Sequence, residues 1–349
     1  MQQLSVGIIG CGKIAQVRHI PEYLANPQAR IIGLFDLSQA RAEEVAAGIP
    51  GAQVFSSWES LLASPDIDAV SICTANVSHA EIAIAALQAG KHVLLEKPMA
   101  TTLADCERIV DAANSSPGLL MLDHNQRFTK AHQLARDLFQ GGAIGDLVGF
   151  RTTFGHGGPE TWSVDPGPNT WFFDATKTTM GAVGDLGVHK TDILHFLTGQ
   201  RVTQVQAQLA TVEKVDAAGK PIAVDDNAIA IYTLSGGAIG TMVASWTFHG
   251  TEDNSTVLYG KSGIMSIYSD PDYQVVVIRP GAPPERYEVE PMQTNDNQTA
   301  SGAIDAFIEA VTLGLPSPVS GEEALAAMRA VFAAIESSRT GNTIAVPEN

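Results

Sequence analysis

The sequence predicts an α/β chain of two domains, an N-terminal doubly wound parallel sheet followed by an α+β domain with a large open, mostly antiparallel sheet. Three observations predict it. From residue 4 to about 122, short apolar runs alternate with stretches of helical periodicity, the mark of βα units. After about residue 125, strand-like runs follow one another across Gly- and Pro-rich turns, as in an antiparallel sheet. The chain has 349 residues, which at roughly 100–200 residues per domain suits two cores, here divided as 1–123 and 124–349.

Element by element, the strands of the first domain read as Ser5–Ile9, Arg30–Phe35, Ala69–Cys73, His92–Leu95 and Leu119–Leu122. Helices fall between them, near 13–25, 39–47, 57–63, 78–89 and 103–114. Several are preceded by Ser, Thr or Asn, whose side chains cap free N–H groups. Right-handed crossovers place such helices on both faces of the sheet. The second domain opens with a helix near 130–140, a strand near 147–154, a Gly/Pro/Trp-rich loop and a helix near 185–198. Strands Gln204–Lys214, Asn227–Leu234, Ala238–Trp246, Thr256–Tyr259, Ile264–Tyr268 and Gln274–Arg279 follow. Two Ala-rich helices, near 299–314 and 321–338, and a last strand Thr343–Val346 close the chain.

Composition narrows the partners. With 45% apolar and 17% charged residues and a mean hydropathy of +0.07, the chain is of the folded globular class. No run reaches the ~18 uninterrupted apolar residues of a membrane span. Met1-Gln2-Gln3 leads straight into a strand, without the basic region and cleavage site of a signal peptide, so a cytoplasmic address is expected. Lys and Arg total 21 against 38 Asp and Glu, a formal charge of −17. Such a charge repels phosphate backbones and anionic lipid, so neither nucleic acid nor a membrane is an expected partner. Cys11, Cys73 and Cys106 are far apart and form no CxxC pair, and are expected as buried thiols rather than disulfides or zinc ligands.

The chemistry gathers in four places. The first strand runs into Gly10-x-Gly12-x-x-Ala15 at the start of a helix. Gly10 permits the tight turn, Gly12 lets a pyrophosphate approach the backbone, and Ala15 lets the helix pack close to the sheet. The second strand ends at Asp36, whose carboxylate can bind ribose hydroxyls and repel a 2′-phosphate, favouring NAD over NADP. The nearest following cation is Arg41, five residues on; the alternative role for Asp36 is to cap the next helix. Glu96-Lys97-Pro98 follows the fifth-strand run, at the carboxyl edge where ligands bind in doubly wound sheets. There the Lys97 ammonium can bind a substrate hydroxyl and ease its deprotonation, although the same pair also reads as a surface ion pair.

In the second domain Asp185, His189 and Asp192 fall at i, i+4 and i+7, one face of a helix. A carboxylate one turn from an imidazole suits general acid–base work. The other readings are a divalent metal site, which the spacing does not complete, and a capped helix with a core histidine; no metal is expected. Asn125-Gln126-Arg127-Phe128 brings polar groups to the same sheet edge, where Arg127 can meet substrate oxygens or an acidic surface. Trp162, Trp171 and Asp174 suit a sugar-binding wall, or a core; Trp246 and His249 are further candidates.

Together, Gly10-x-Gly12-x-x-Ala15, Thr74-Ala75-Asn76 with His79, Gly90-Lys91-His92-Val93 to Glu96-Lys97-Pro98, Asn125-x-Arg127-Phe128 and Gly184-Asp185-x-Gly187-x-His189-x-x-Asp192 resemble the glucose-fructose oxidoreductase, inositol dehydrogenase and rhizopine-catabolism (Gfo/Idh/MocA) family. The resemblance spans nearly the whole chain. It implies a Rossmann domain and a C-terminal domain whose open sheet makes oligomer contacts, hence a homodimer or homotetramer. It implies that Gly10, Gly12, Lys13 and Ile14 cradle the NAD pyrophosphate, that Asp36 binds the ribose, and that Thr74, Asn76, His79, Glu96, Lys97 and Asn125 line the rest of the cofactor. Lys97, Asp185 and His189 look like the catalytic trio, and Arg127, Trp171 and Asp192 stand with them as substrate contacts. Met180-Gly181-Ala182 replaces a common Gly-Gly-Gly, and Thr74-Ala75-Asn76 a common Thr-Pro-Asn, which bears on substrate identity rather than reaction class. The implied activity is hydride transfer between NAD and a secondary hydroxyl of a sugar, sugar derivative or cyclitol. An NAD-retaining glycosidase and a ligand-sensing regulator are the other activities found on this fold.

Overall fold

The computed structural model describes residues 3–292 and 300–347. The chain forms two compact units, one built on the chain up to Asn125 and the stretch that ends at Leu325, the other on Gln126–Met292 and the residues from Ala326.

The first unit carries a parallel sheet of β1 (Leu4–Ile9), β2 (Ala29–Phe35), β3 (Gln53–Val54), β4 (Ala69–Ile72), β5 (His92–Leu95) and β6 (Leu120–Leu122), in the order β3-β2-β1-β4-β5-β6. Every residue of β1, β4 and β6 is buried, which a strand achieves only when both sheet faces are covered. The cover comes from α1 (Ile20–Ala25), α2 (Gln39–Ala47), α3 (Trp58–Leu62), α4 (His79–Gln88) and α5 (Leu103–Asn114). Caps fall where Ser and Thr precede a helix: Ser38, Ser57 and Thr102 accept the N–H groups of Arg41, Ser60 and Asp105. The strand order reverses between β1 and β4, so their following loops diverge and open a crevice at the carboxyl edge.

Two departures from the sequence reading have local causes. The helix expected near 13–25 is a π-helical turn, Ala15–His19, leading into α1, because Pro21 has no N–H to donate and fits only a helix's first turn. The two-residue edge strand β3 is too short to leave a pattern. The first unit also takes in α9 (Ala303–Leu313) and the start of α10 (Gly321–Thr340). Ser301 donates its N–H and hydroxyl to Glu22, and Leu122 donates its N–H to the Val319 carbonyl.

The second unit contains α6 (Lys130–Gln140), β7 (Leu147–Gly155), α7 (Ala175–Thr178), α8 (Val188–Thr198), β8 (Val202–Ala210), β9 (Asn227–Leu234), β10 (Ile239–Ser245), β11 (Thr256–Gly260), β12 (Gly263–Ile267), β13 (Val275–Ile278), β14 (Glu285–Tyr287) and β15 (Ile344–Ala345). Its nine strands run β14-β13-β12-β11-β7-β10-β9-β8-β15, antiparallel except between β7 and β10. Alternation sets the two faces: Ala228, Ala230 and Tyr232 of β9 point into the core, Ile229 and Ile231 outward. The β8 ladder stops at Ala210 rather than Lys214 because the Asp226 carboxylate captures the N–H groups of Val212, Glu213 and Lys214. All three cysteines are unpaired and buried, and no described helix is long and apolar enough to cross a membrane.

Candidate active site

Each unit carries its own half of the predicted chemistry. In the first, Gly10 holds φ at +94°, and a Cβ there would lie 2.6 Å from the Cys73 carbonyl oxygen, so only glycine fits. Around Gly12 a Cβ would meet nothing within 4 Å, leaving the backbone open to a phosphate. Lys13 and Ile14, both half-buried, lead from this loop into the π-helical turn. Asp36 ends β2 with its carboxylate turned to the same loop: Oδ2 accepts the Cys11 N–H at 2.8 Å, and Oδ1 accepts that of Ser38 at 2.8 Å. Ser38, not Asp36, caps α2, which removes the capping alternative. The first turn of α2 also carries the Arg41 guanidinium back to 3.8 Å from Asp36 Oδ1, so a cation stands closer to this carboxylate than chain distance suggested.

At the end of β4, the Thr74 hydroxyl accepts from Ser78, and Asn76 is buried in the short turn that starts α4. His79 is fully buried, with Nδ1 2.8 Å from the Pro98 carbonyl and Nε2 3.1 Å from that of Thr74. It ties the β4 loop to the turn that bears Lys97, and burial lowers its pKa. The Lys97–Pro98 bond is cis, a point on which the sequence is silent. Lys97 is half-buried.

Glu96 turns inward. Oε2 accepts the Lys97 N–H, while Oε1 receives His19 Nε2 at 3.0 Å and Arg18 Nη1 at 3.4 Å. The same Arg18 nitrogen lies 3.1 Å from Asp123 Oδ2, and His19 Nε2 lies 3.3 Å from it. Two buried carboxylates at neighbouring strand ends thus share two cationic partners. Burial works against a charge on His19, but the Cys73 sulfur and the hydrogen bonds to Asp123 and Glu96 outweigh it and lift its pKa well above the ordinary value. Burial likewise opposes the Asp123 carboxylate, and Arg18 and His19 hold it well below the usual range. His19, Glu96 and Asp123 form the one described group of side chains whose ligand atoms all lie within 4.8 Å, but the Arg18 guanidinium already neutralises it. Asn125, buried just past β6, keeps an Oδ1 with no hydrogen-bond partner among the described residues, a free acceptor for an amide donor such as a carboxamide. The loop, Asp36 and Asn125 together fit a dinucleotide.

In the second unit the helix expected near 185–198 begins as a π-helical turn, Val183–Gly187, and continues as α8. Asp185 and His189 lie across that junction, 8% and 7% exposed. Such wide turns recur at functional sites. Asp225 holds the turn from outside it, accepting the N–H groups of Gly181 at 2.9 Å and Val183 at 2.8 Å, while its carbonyl takes that of Ala182. Burial pushes the Asp225 carboxyl up to about 6 against those two donors. A Cβ on Gly181 would fall 1.7 Å from the Asp225 carbonyl oxygen, so Gly181 of Met180-Gly181-Ala182 is sterically required. Asp185 Oδ2 accepts the indole N–H of Trp246 at 3.1 Å.

Arg127 and Asp192 meet each other: Nε and Nη2 bond the two Asp192 oxygens at 2.8 and 2.6 Å, and the guanidinium lies 5.5 Å from the Phe196 ring. Asp185, His189 and Asp192 do not gather as a metal site among the described residues. Trp171 stacks on Phe172 at 4.0 Å, and Trp162 meets Phe172 edge-on at 5.2 Å. Asp174 caps α7 through the N–H and hydroxyl of Thr176, and the exposed His249 pairs with Glu213. Sequence reasoning passed over Arg18, His19, Asp123 and Asp225. Asp123 alone left a signal, as a carboxylate ending a parallel strand; the rest become legible only through partners distant in the chain.

Residues 4–124 match the family model described as an oxidoreductase family with an NAD-binding Rossmann fold, and residues 132–266 match the GFO/IDH/MocA C-terminal domain. The chain belongs to the Gfo/Idh/MocA family. It is an NAD(P)-dependent oxidoreductase of that family. It is 32% identical over 292 residues to levoglucosan dehydrogenase of Pseudarthrobacter phenanthrenivorans, covering 75% of this chain and 73% of the relative. Myo-inositol 2-dehydrogenase of Thermotoga maritima is 24% identical over 99% of both chains. Among solved structures, levoglucosan dehydrogenase in complex with NADH superimposes with a TM-score of 0.90 at 26% identity, over 100% of both chains. Within the Gfo/Idh/MocA family, the six-stranded parallel sheet here is the Rossmann part and the nine-stranded sheet the C-terminal part.

Proposed function

We propose that the chain is an NAD-preferring dehydrogenase that moves a hydride between a secondary hydroxyl of a sugar, sugar derivative or cyclitol such as inositol and the nicotinamide ring. The observation that carries this reading is the joint presence of a dinucleotide cradle followed by Glu96-Lys97 and a wide turn presenting Asp185 and His189. When bound, the nicotinamide supplies the hydride acceptor, and the chain supplies position and charge. His189 takes the hydroxyl proton; Asp185, one turn earlier, favours the imidazolium this creates. Lys97 stabilises the developing alkoxide. Arg127 and Asp192 contact substrate hydroxyls as a neutralised pair, which suits an uncharged polyol, and Trp171 offers a ring for a C–H face.

Relatives named for levoglucosan and myo-inositol support the substrate class. The carboxylate of Asp36 at the ribose position supports NAD. The outer sheet face, with Ile229, Ile231 and Ile239 exposed in neighbouring β9 and β10, supports a homodimer or homotetramer assembled through it. A regulator of this fold has no use for Lys97, Asp185 and His189 together. The test is NADH formation from NAD across inositols, aldoses, anhydrosugars, uronic acids and amino sugars, in wild type, Lys97→Ala and His189→Ala. One class is oxidised, and each substitution lowers kcat by about a hundredfold or more. Failure to oxidise any polyol, with both variants binding NAD as wild type does, overturns the reading.

A further inference from the structure

We propose that Trp246 is a positioning residue for proton transfer: its indole N–H aims the Asp185 carboxylate and ties it to the aromatic loop that carries Trp162 and Trp171. The proposal rests on the dehydrogenase reading of Asp185. Trp246 is fully buried directly after β10, and its backbone N–H donates to the Asp226 carbonyl at 2.8 Å. Its Nε1 donates to Asp185 Oδ2 at 3.1 Å. An indole has one donor and no acceptor, so here its single polar atom is committed to a buried carboxylate, where a charge-assisted hydrogen bond is strong.

The ring itself faces the loop. Phe172 meets it edge-on at 6.3 Å and 87°, and Phe173 lies 6.1 Å away at 41°. Phe172 is the ring on which Trp171 stacks and against which Trp162 packs. A sugar seated on these rings bears on the same indole that holds Asp185. The backbone of the Asp185 turn is fixed separately, by the two N–H groups that Asp225 accepts. Trp246 is therefore left with the carboxylate rather than the turn.

Trp246→Phe keeps a ring and removes the N–H. We expect kcat to fall about tenfold while KM for the polyol and the affinity for NAD stay within about twofold. In the Asp185→Ala background the same substitution leaves the residual kcat within about twofold, because the group it acts through is gone. An unchanged kcat, or an equal loss in both backgrounds, overturns the proposal. If wild type oxidises no polyol, the dehydrogenase reading fails instead, and NMR of the four tryptophan indoles decides the hydrogen bond. The 1H–15N indole signal that disappears in Trp246→Phe must then shift in Asp185→Ala; a signal that stays in place overturns the proposal by itself.

Discussion

At Asp36 one carboxylate and one guanidinium stand side by side at the end of β2. The carboxylate is held by the Cys11 and Ser38 N–H groups, and Arg41 stands 3.8 Å from it. If Asp36 holds the ribose as proposed, removing its carboxylate leaves the Arg41 cation beside the place a 2′-phosphate would take. Asp36→Ala should therefore weaken NAD binding by about tenfold and strengthen NADP binding, since a lost pair of ribose hydrogen bonds and a relieved repulsion are each of order 1 kcal/mol. Titration of both dinucleotides into both proteins checks this, and an unchanged NAD:NADP ratio removes Asp36 from its role. Local geometry carried by one residue's own backbone or strand, such as the tight turn at Gly10, the open backbone at Gly12 and the strand end before Asp36, was legible in the sequence. The pairing of Arg18 and His19 with Asp123 was not, because their charges make sense only beside one another, across 105 residues between Arg18 and Asp123.

Among the elements, α8 has the least ordinary surroundings. It starts on the π-helical turn, and nearly all of its side chains are buried, including the whole of Lys190, whose ammonium donates to the carbonyl and side-chain oxygens of Asn254. Burial pulls Lys190 down to about 7, against the nearby charges of Asp253 and Glu252. In the unfolded chain the ordinary lysine value of about 10.4 applies, so between these values the unfolded chain binds more protons than the native one. This group's contribution to stability consequently grows as pH rises above 7 and is lost as pH falls through it. Urea unfolding should show the wild type gaining about 2 kcal/mol relative to Lys190→Met between pH 7 and pH 9; a constant difference would place the native ammonium at its ordinary value. The helix itself was legible from its periodicity, and α2, α5, α6 and β9 were legible with bounds that match. Its π-helical start was not, since one extra residue in a turn leaves no periodic trace, and β8 ended early because of Asp226, a residue of the following hairpin.

For the molecule as a whole, family membership settles the two sheets, and their faces set what remains to be built. The outward residues of β9 and β10 form a row of isoleucines that water alone should not face, so Ile229→Lys with Ile231→Lys should lower the mass in sedimentation equilibrium toward the monomer while leaving NAD binding intact. A wild type that already sediments as a monomer, or an unchanged mass, would overturn the assembly proposed for this face. The sequence singled out Lys97 after a strand end and Asp185 with His189 at a helix start, and the structure sets Lys97 just past β5 and the other two across the junction of the π-helical turn and α8. It could not foresee that Arg127 and Asp192 satisfy each other, because a pairing across 65 residues has no local signature. The most direct measurement follows the hydride itself. Polyols of the oxidised class, labelled with deuterium at single carbons, are incubated with NAD, and the cofactor is analysed by mass spectrometry. The account predicts deuterium on the nicotinamide from one labelled carbon, with transfer nearly abolished in His189→Ala; NADH without label, or glycoside cleavage with no net NADH, would contradict it.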